Sequence, residues 1–85
     1  MGRGMSSSVI EIRPKAREIS VDDDELTVLL ADGRKISVPL AWFPRLLHAT
    51  ADQRRNFQLL GEGEGIHWPE IDEDLSVAGL LRGAW

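Results

Sequence analysis

His67, Glu70, Asp72 and Asp74 fall in one short run of the chain. An imidazole beside carboxylates is the raw material of an acid–base pair or of a metal ligand set. Either chemistry needs more than this run contains. It has one histidine, no obvious nucleophile and no second group placed to orient the ring. His48 lies on a different predicted element, and the chain has no cysteine, so a thiolate metal site is excluded. Asp72, Asp74 and Ser76 have the alternate spacing that opens a calcium loop, but Val77 stands where that loop needs glycine and Gly83 where it needs glutamate. Gly61-Glu62-Gly63-Glu64-Gly65 resembles the start of a dinucleotide loop, yet Ile66 occupies the required third glycine and the two glutamates would repel a pyrophosphate. The reading is that no catalytic, cofactor or metal residue is present and that the protein is not an enzyme. His67 is read as a structural residue beside Trp68. The acids are read either as charges favoured near the N-terminus of a following helix or as contacts for a partner.

The chain has 85 residues and a net charge of -4. That is one domain at most, burying only about 60% of its unfolded surface. The charge is unevenly spread. Beyond Leu60, Arg82 alone opposes Glu62, Glu64, Glu70, Asp72, Glu73 and Asp74. Such a surface repels phosphate backbones and attracts basic proteins, so nucleic-acid binding by this domain alone is disfavoured. No apolar run is long enough to span a membrane and no signal peptide is visible, which with the absence of cysteine fits a cytoplasmic protein. Residues 1–14 read as a flexible tail and 15–83 as a single domain.

The elements that must carry these residues begin with three strands. Arg17, Ile19 and Val21 alternate onto one face, as do Leu26, Val28 and Leu30, and then Ile36 and Val38. Asp22-Asp23-Asp24-Glu25 reads as a turn, Asp32-Gly33 signals a tight hairpin, and Pro39 ends the third strand. Leu40, Phe43, Leu46 and Leu47 form a helical stripe, predicting a helix from about Ala41 to Ala49 with Pro44 in its first turn. Thr50 and Gln53 match a capping box, predicting a second short helix to about Asn56. Phe57–Leu60 reads as a fourth short strand, 66–74 as irregular, and Val77–Leu81 as a last helix capped by Asp74 or Ser76 and stopped near Gly83. The fold class is therefore α+β: an antiparallel three-stranded meander, extended by a short fourth strand and covered by two or three short helices.

Trp42 falls off the apolar stripe and lies three residues from Arg45, so the pair forms a candidate contact patch at a core edge. Arg54 and Arg55 read as a solvated face, with no recognition-helix pattern around them. An exposed edge strand of the meander gives two copies a means of pairing as a homodimer.

The segments Pro39-Leu-Ala-Trp-Phe-Pro-Arg-Leu46 and Gly65-Ile-His-Trp-Pro-Glu-Ile-Asp-Glu-Asp-Leu-Ser-Val77 occur together. In this combination the chain resembles the bacterial domain-of-unknown-function family 2442. The resemblance implies a small α+β domain, often encoded beside another small protein in pairs like toxin–antitoxin modules. It carries over no catalytic residues. It implies an antitoxin-like domain that binds a small cognate protein, the product of a neighbouring gene. The alternative is a nucleic-acid-associated transcriptional regulator or accessory domain using Arg45, Arg54 and Arg55. The candidate interface residues are Trp42, Arg45, His67, Trp68, Glu70, Asp72 and Asp74.

Overall fold

Residues 14–83 are described by a computed structural model; the tail expected before Pro14 lies outside the described residues. Three strands, β1 (Ala16–Val21), β2 (Glu25–Leu30) and β3 (Lys35–Pro39), form an antiparallel sheet in chain order. The β1–β2 turn is closed by Asp22, whose Oδ1 accepts the N–H groups of Asp24 and Glu25 at 2.8 Å. Those two donors hold its carboxyl below the usual carboxylate range. At the β2–β3 hairpin Gly33 takes φ 95°, and Asp32 Oδ1 accepts the Arg34 N–H. Leu26, Val28, Leu30 and Val38 are buried as their alternation predicts. Arg17 is not on their face. A bulge between Ala16 and Glu18 shifts the register, leaving Arg17 exposed while Ile19 and Val21 pack against the core.

The helix expected from Ala41 to Ala49 is broken into a 3-10 turn, Leu40–Trp42, and α1, Pro44–Leu47. The cause is local. Pro44 opens α1, and the residue before a proline is pushed out of the helical region, so Phe43 sits at φ -127°, ψ 85°. The buried stripe survives the break: Leu40, Phe43 and Leu46 all enter the core. Helix α2, Ala51–Arg55, starts with the predicted capping box, Thr50 accepting the Gln53 N–H at 3.1 Å and Gln53 Oε1 accepting the Thr50 N–H at 2.9 Å.

The expected fourth strand does not extend the meander. It is β4, Gln58–Leu60, the edge of a second antiparallel sheet completed by β5 (Gly65–Trp68) and β6 (Glu73–Ser76). The segment expected to be irregular is thus mostly strand. Pro69 is compatible with this because it falls in the β5–β6 turn, where its missing N–H removes no ladder bond. Ile66, Trp68 and Leu75 point into the core. Helix α3, Val77–Arg82, is capped by Ser76, whose Oγ accepts the Gly79 N–H at 2.9 Å, and ends at left-handed Gly83. The architecture is α+β, with two three-stranded sheets and short helices around one core.

One backbone bond ties the second sheet to the first, from the Ala16 N–H to Gly63 O at 2.6 Å, and another, from the Val77 N–H to Glu64 O at 3.0 Å, continues the β5–β6 pairing to the start of α3. A third connection is Arg54. It is not a solvated residue but buried, at 8% exposure. Its Nε donates to Leu46 O at 3.0 Å, Nη2 to Leu47 O at 2.8 Å and Nη1 to Asp23 Oδ1 at 2.8 Å. The guanidinium satisfies carbonyls left open where α1 ends. Lysine has a point charge in place of this fork and cannot reach all three acceptors. Arg54→Lys is therefore expected to cost about 2–3 kcal/mol, lowering the thermal midpoint by roughly 10 °C or more; an unchanged melting curve by circular dichroism would contradict this role.

Candidate functional site

The β5–β6 hairpin carries the acidic run. Glu70 and Asp72 lie in its turn; Glu73 and Asp74 follow on β6. The turn needs a left-handed residue, and Asp72 supplies it at φ 53°, a conformation aspartate tolerates better than most side chains. Its carbonyl accepts Arg45 Nη1 at 2.6 Å, which ties α1 to the hairpin. Trp42, at 48% exposure, sits on the preceding 3-10 turn. Glu70 Oε2 accepts from Asn56 Nδ2 at 2.7 Å, fixing the other flank to the end of α2. Glu70, Asp72 and Asp74 are all exposed.

His67 and Asp74 are paired residues on the neighbouring strands, with Nδ1 2.5 Å from Oδ1. Both are on the outer face of the sheet, opposite Ile66, Trp68 and Leu75. The pair orients the imidazole, a contact not read from the sequence because a cross-strand partner depends on register. No serine or threonine is hydrogen-bonded to the ring among the described residues. Nor does any group of three His, Cys, Asp or Glu among them have the geometry to hold a metal ion.

Trp68 is placed differently from the expectation of a contact residue. It is fully buried, its ring 6.3 Å from Phe57 and its Nε1 donating to Arg54 O at 3.0 Å. It cannot touch a partner while the domain is folded. It is the hub through which the second sheet, α2 and the Arg54 network pack. The other six candidate interface residues remain accessible: Arg45, Glu70 and Asp72 at the hairpin turn, His67 and Asp74 on the adjoining face, and Trp42 on the 3-10 turn.

Two sequence readings change with these positions. Of the two expected caps of α3, Asp74 and Ser76, it is Ser76 that supplies the side-chain bond, and the acids precede the helix rather than enter its first turn. The three arginines proposed for phosphate contact do not form a basic face: Arg54 is buried, Arg45 is turned to the Asp72 carbonyl, and Arg55 is paired with Asp52. Among the described residues, no helix is long and apolar enough to cross a membrane.

The α+β architecture and the two motif segments have a counterpart in a known family. The chain belongs to the family described as Protein of unknown function (DUF2442), whose model matches residues 16–84. The chain is similar in structure to a protein of unknown function from Rhodospirillum rubrum, with 32% identity and a TM-score of 0.74, over 86% of this chain and 90% of that one. It also shares its fold with an uncharacterized protein from Chromobacterium violaceum, with 24% identity and a TM-score of 0.68, over 81% of this chain and 65% of that one. No curated protein matches the chain.

Proposed function

We propose that this domain is a non-catalytic protein-interaction module that docks a small basic partner on the acidic β5–β6 hairpin. The observation that carries the reading is the position of the acids. Glu70, Asp72 and Asp74 are exposed on one braced turn and its following strand, with Glu73 half-buried among them, and none of the four lies in the first turn of α3. Long-range attraction by such a cluster steers and orients a cationic protein. Arg45 lies against the turn, Trp42 is exposed three residues before it in the chain, and both belong to the residue types that most often dominate binding energy. The partner is proposed to be the product of an adjacent gene, which gives the domain an antitoxin-like role.

The test is co-expression with the neighbouring gene product, followed by size exclusion with light scattering. A heteromeric peak is expected. It should be lost when Glu70→Lys is combined with Asp72→Asn, a pair that removes charge while keeping a residue tolerant of left-handed backbone in the turn. No complex with any neighbour, or one indifferent to these substitutions, would refute the reading.

A further inference from the structure

Gly65 opens β5, and nothing in its own conformation calls for glycine. Its φ is not in the left-handed region, and a Cβ built on it would meet Leu60 Cβ at 3.5 Å, Leu60 Cδ1 at 3.6 Å and the Leu75 carbonyl oxygen at 3.6 Å, all ordinary contacts. An alanine fits. What the missing side chain leaves is the floor of a groove of about 500 Å³ running across the outer face of the second sheet. Leu60 and Gly65 line it along the row where β4, β5 and β6 pair, with Leu75 and Ser76 beyond. Leu60, a large apolar side chain, is 44% exposed at this wall. Glu64 and Asp74 also line it, Asp74 being the partner of His67.

We propose that this groove receives one apolar side chain of a bound protein, flanked in that protein by lysine or arginine. The apolar group lies on Gly65 against Leu60, and the flanking cations face Glu64 and Asp74. The occupant follows from the complementarity: an apolar floor excludes a purely polar segment, and an acidic lining disfavours an acidic one. The proposal rests on the protein-interaction reading above and locates a subsite for it, one row along the sheet from the His67–Asp74 pair and distinct from the hairpin turn.

The test uses the full chain labelled with nitrogen-15, titrated with the peptide acetyl-Gly-Lys-Leu-Lys-Gly-amide. Acetyl-Gly-Lys-Gly-Lys-Gly-amide and acetyl-Gly-Glu-Leu-Glu-Gly-amide are the controls. Amide shifts are expected from Leu60 to Gly65 and from Asp74 to Ser76, with binding weakened about tenfold or more for either control, as loss of one buried apolar side chain or of the charge match would do. Gly65→Val, whose side chain fills the groove, should weaken binding by at least a similar factor and leave the melting temperature unchanged or raised. Equal binding of the leucine and glycine peptides, shifts confined to Pro69–Asp72, or binding unaffected by Gly65→Val would overturn the proposal. So would a dimer of the chain alone that Gly65→Val dissociates, since the occupant would then be a second copy. The two readings fail separately. A neighbour complex that survives Gly65→Val but not the hairpin substitutions removes the groove and keeps the module; peptide binding at Gly65 with no neighbour complex does the reverse.

Discussion

Gly63→Ala will unfold the domain or bring it close to unfolding. A Cβ at this position would lie 2.3 Å from the Ala16 carbonyl oxygen and 3.0 Å from the Ala16 nitrogen, both backbone atoms with no side-chain freedom to yield. The glycine also holds φ 97°, which a side chain makes costly. Relief of the clash requires β1 to move away from the 61–64 turn, and that breaks the 2.6 Å bond from the Ala16 N–H to Gly63 O that joins the two sheets. Strain and the lost bond together amount to about 4 kcal/mol or more, a large share of the roughly 5–15 kcal/mol available to a small domain. The expected fall in thermal midpoint is about 20 °C or more. Gly61→Ala is the internal control. It too has positive φ, 62°, but nothing lies within 4 Å of the added carbon, so only the conformational cost of about 1–2 kcal/mol remains. Equal melting temperatures for the two variants would show that the contact with Ala16 does not hold the sheets together.

The second large effect is expected at Trp68. Emptying the site with Trp68→Ala should cost about 3–5 kcal/mol, the range for large aromatic residues removed from a core. Trp68→Phe keeps most of the volume but leaves the Arg54 carbonyl without its indole donor, at a cost of about 1–3 kcal/mol. Trp42→Ala, by contrast, should change stability by no more than about 1 kcal/mol, since its side chain is half exposed. The readouts separate the two tryptophans. Denaturant midpoints should move with Trp68 and partner affinity with Trp42. A Trp68→Ala protein that melts normally but fails to bind would restore Trp68 as a contact residue and overturn its placement in the core.

The domain's three-stranded meander was legible because its signals are short-range and redundant. Leu26, Val28 and Leu30 alternate cleanly, Asp32-Gly33 fits only a tight turn, and the second half of the alternation returns at Ile36 and Val38. The Thr50–Gln53 capping box was equally local and appears with both of its hydrogen bonds. The second sheet was not legible. Its strands have three or four residues each, too few to show a period of two, and Pro69 between β5 and β6 reads as a breaker until it is seen to occupy the turn. The same shortness concealed the His67–Asp74 contact and the outward face of Gly65, both of which follow from register.

Composition and local pattern alone therefore determined the class of this domain, its first sheet, its helix caps and the acidity of its last quarter. They did so because propensity, turn chemistry and charge act over a few neighbouring residues. The fate of particular side chains was settled by packing between elements distant in the chain. Arg54 is drawn inside because the Leu46 and Leu47 carbonyls at the end of α1 accept from it, Trp68 because the second sheet closes over it, and Asp74 faces outward because register sets it opposite His67. Each outcome depends on which buried polar groups find partners in the folded chain, a balance that residue type and spacing do not encode.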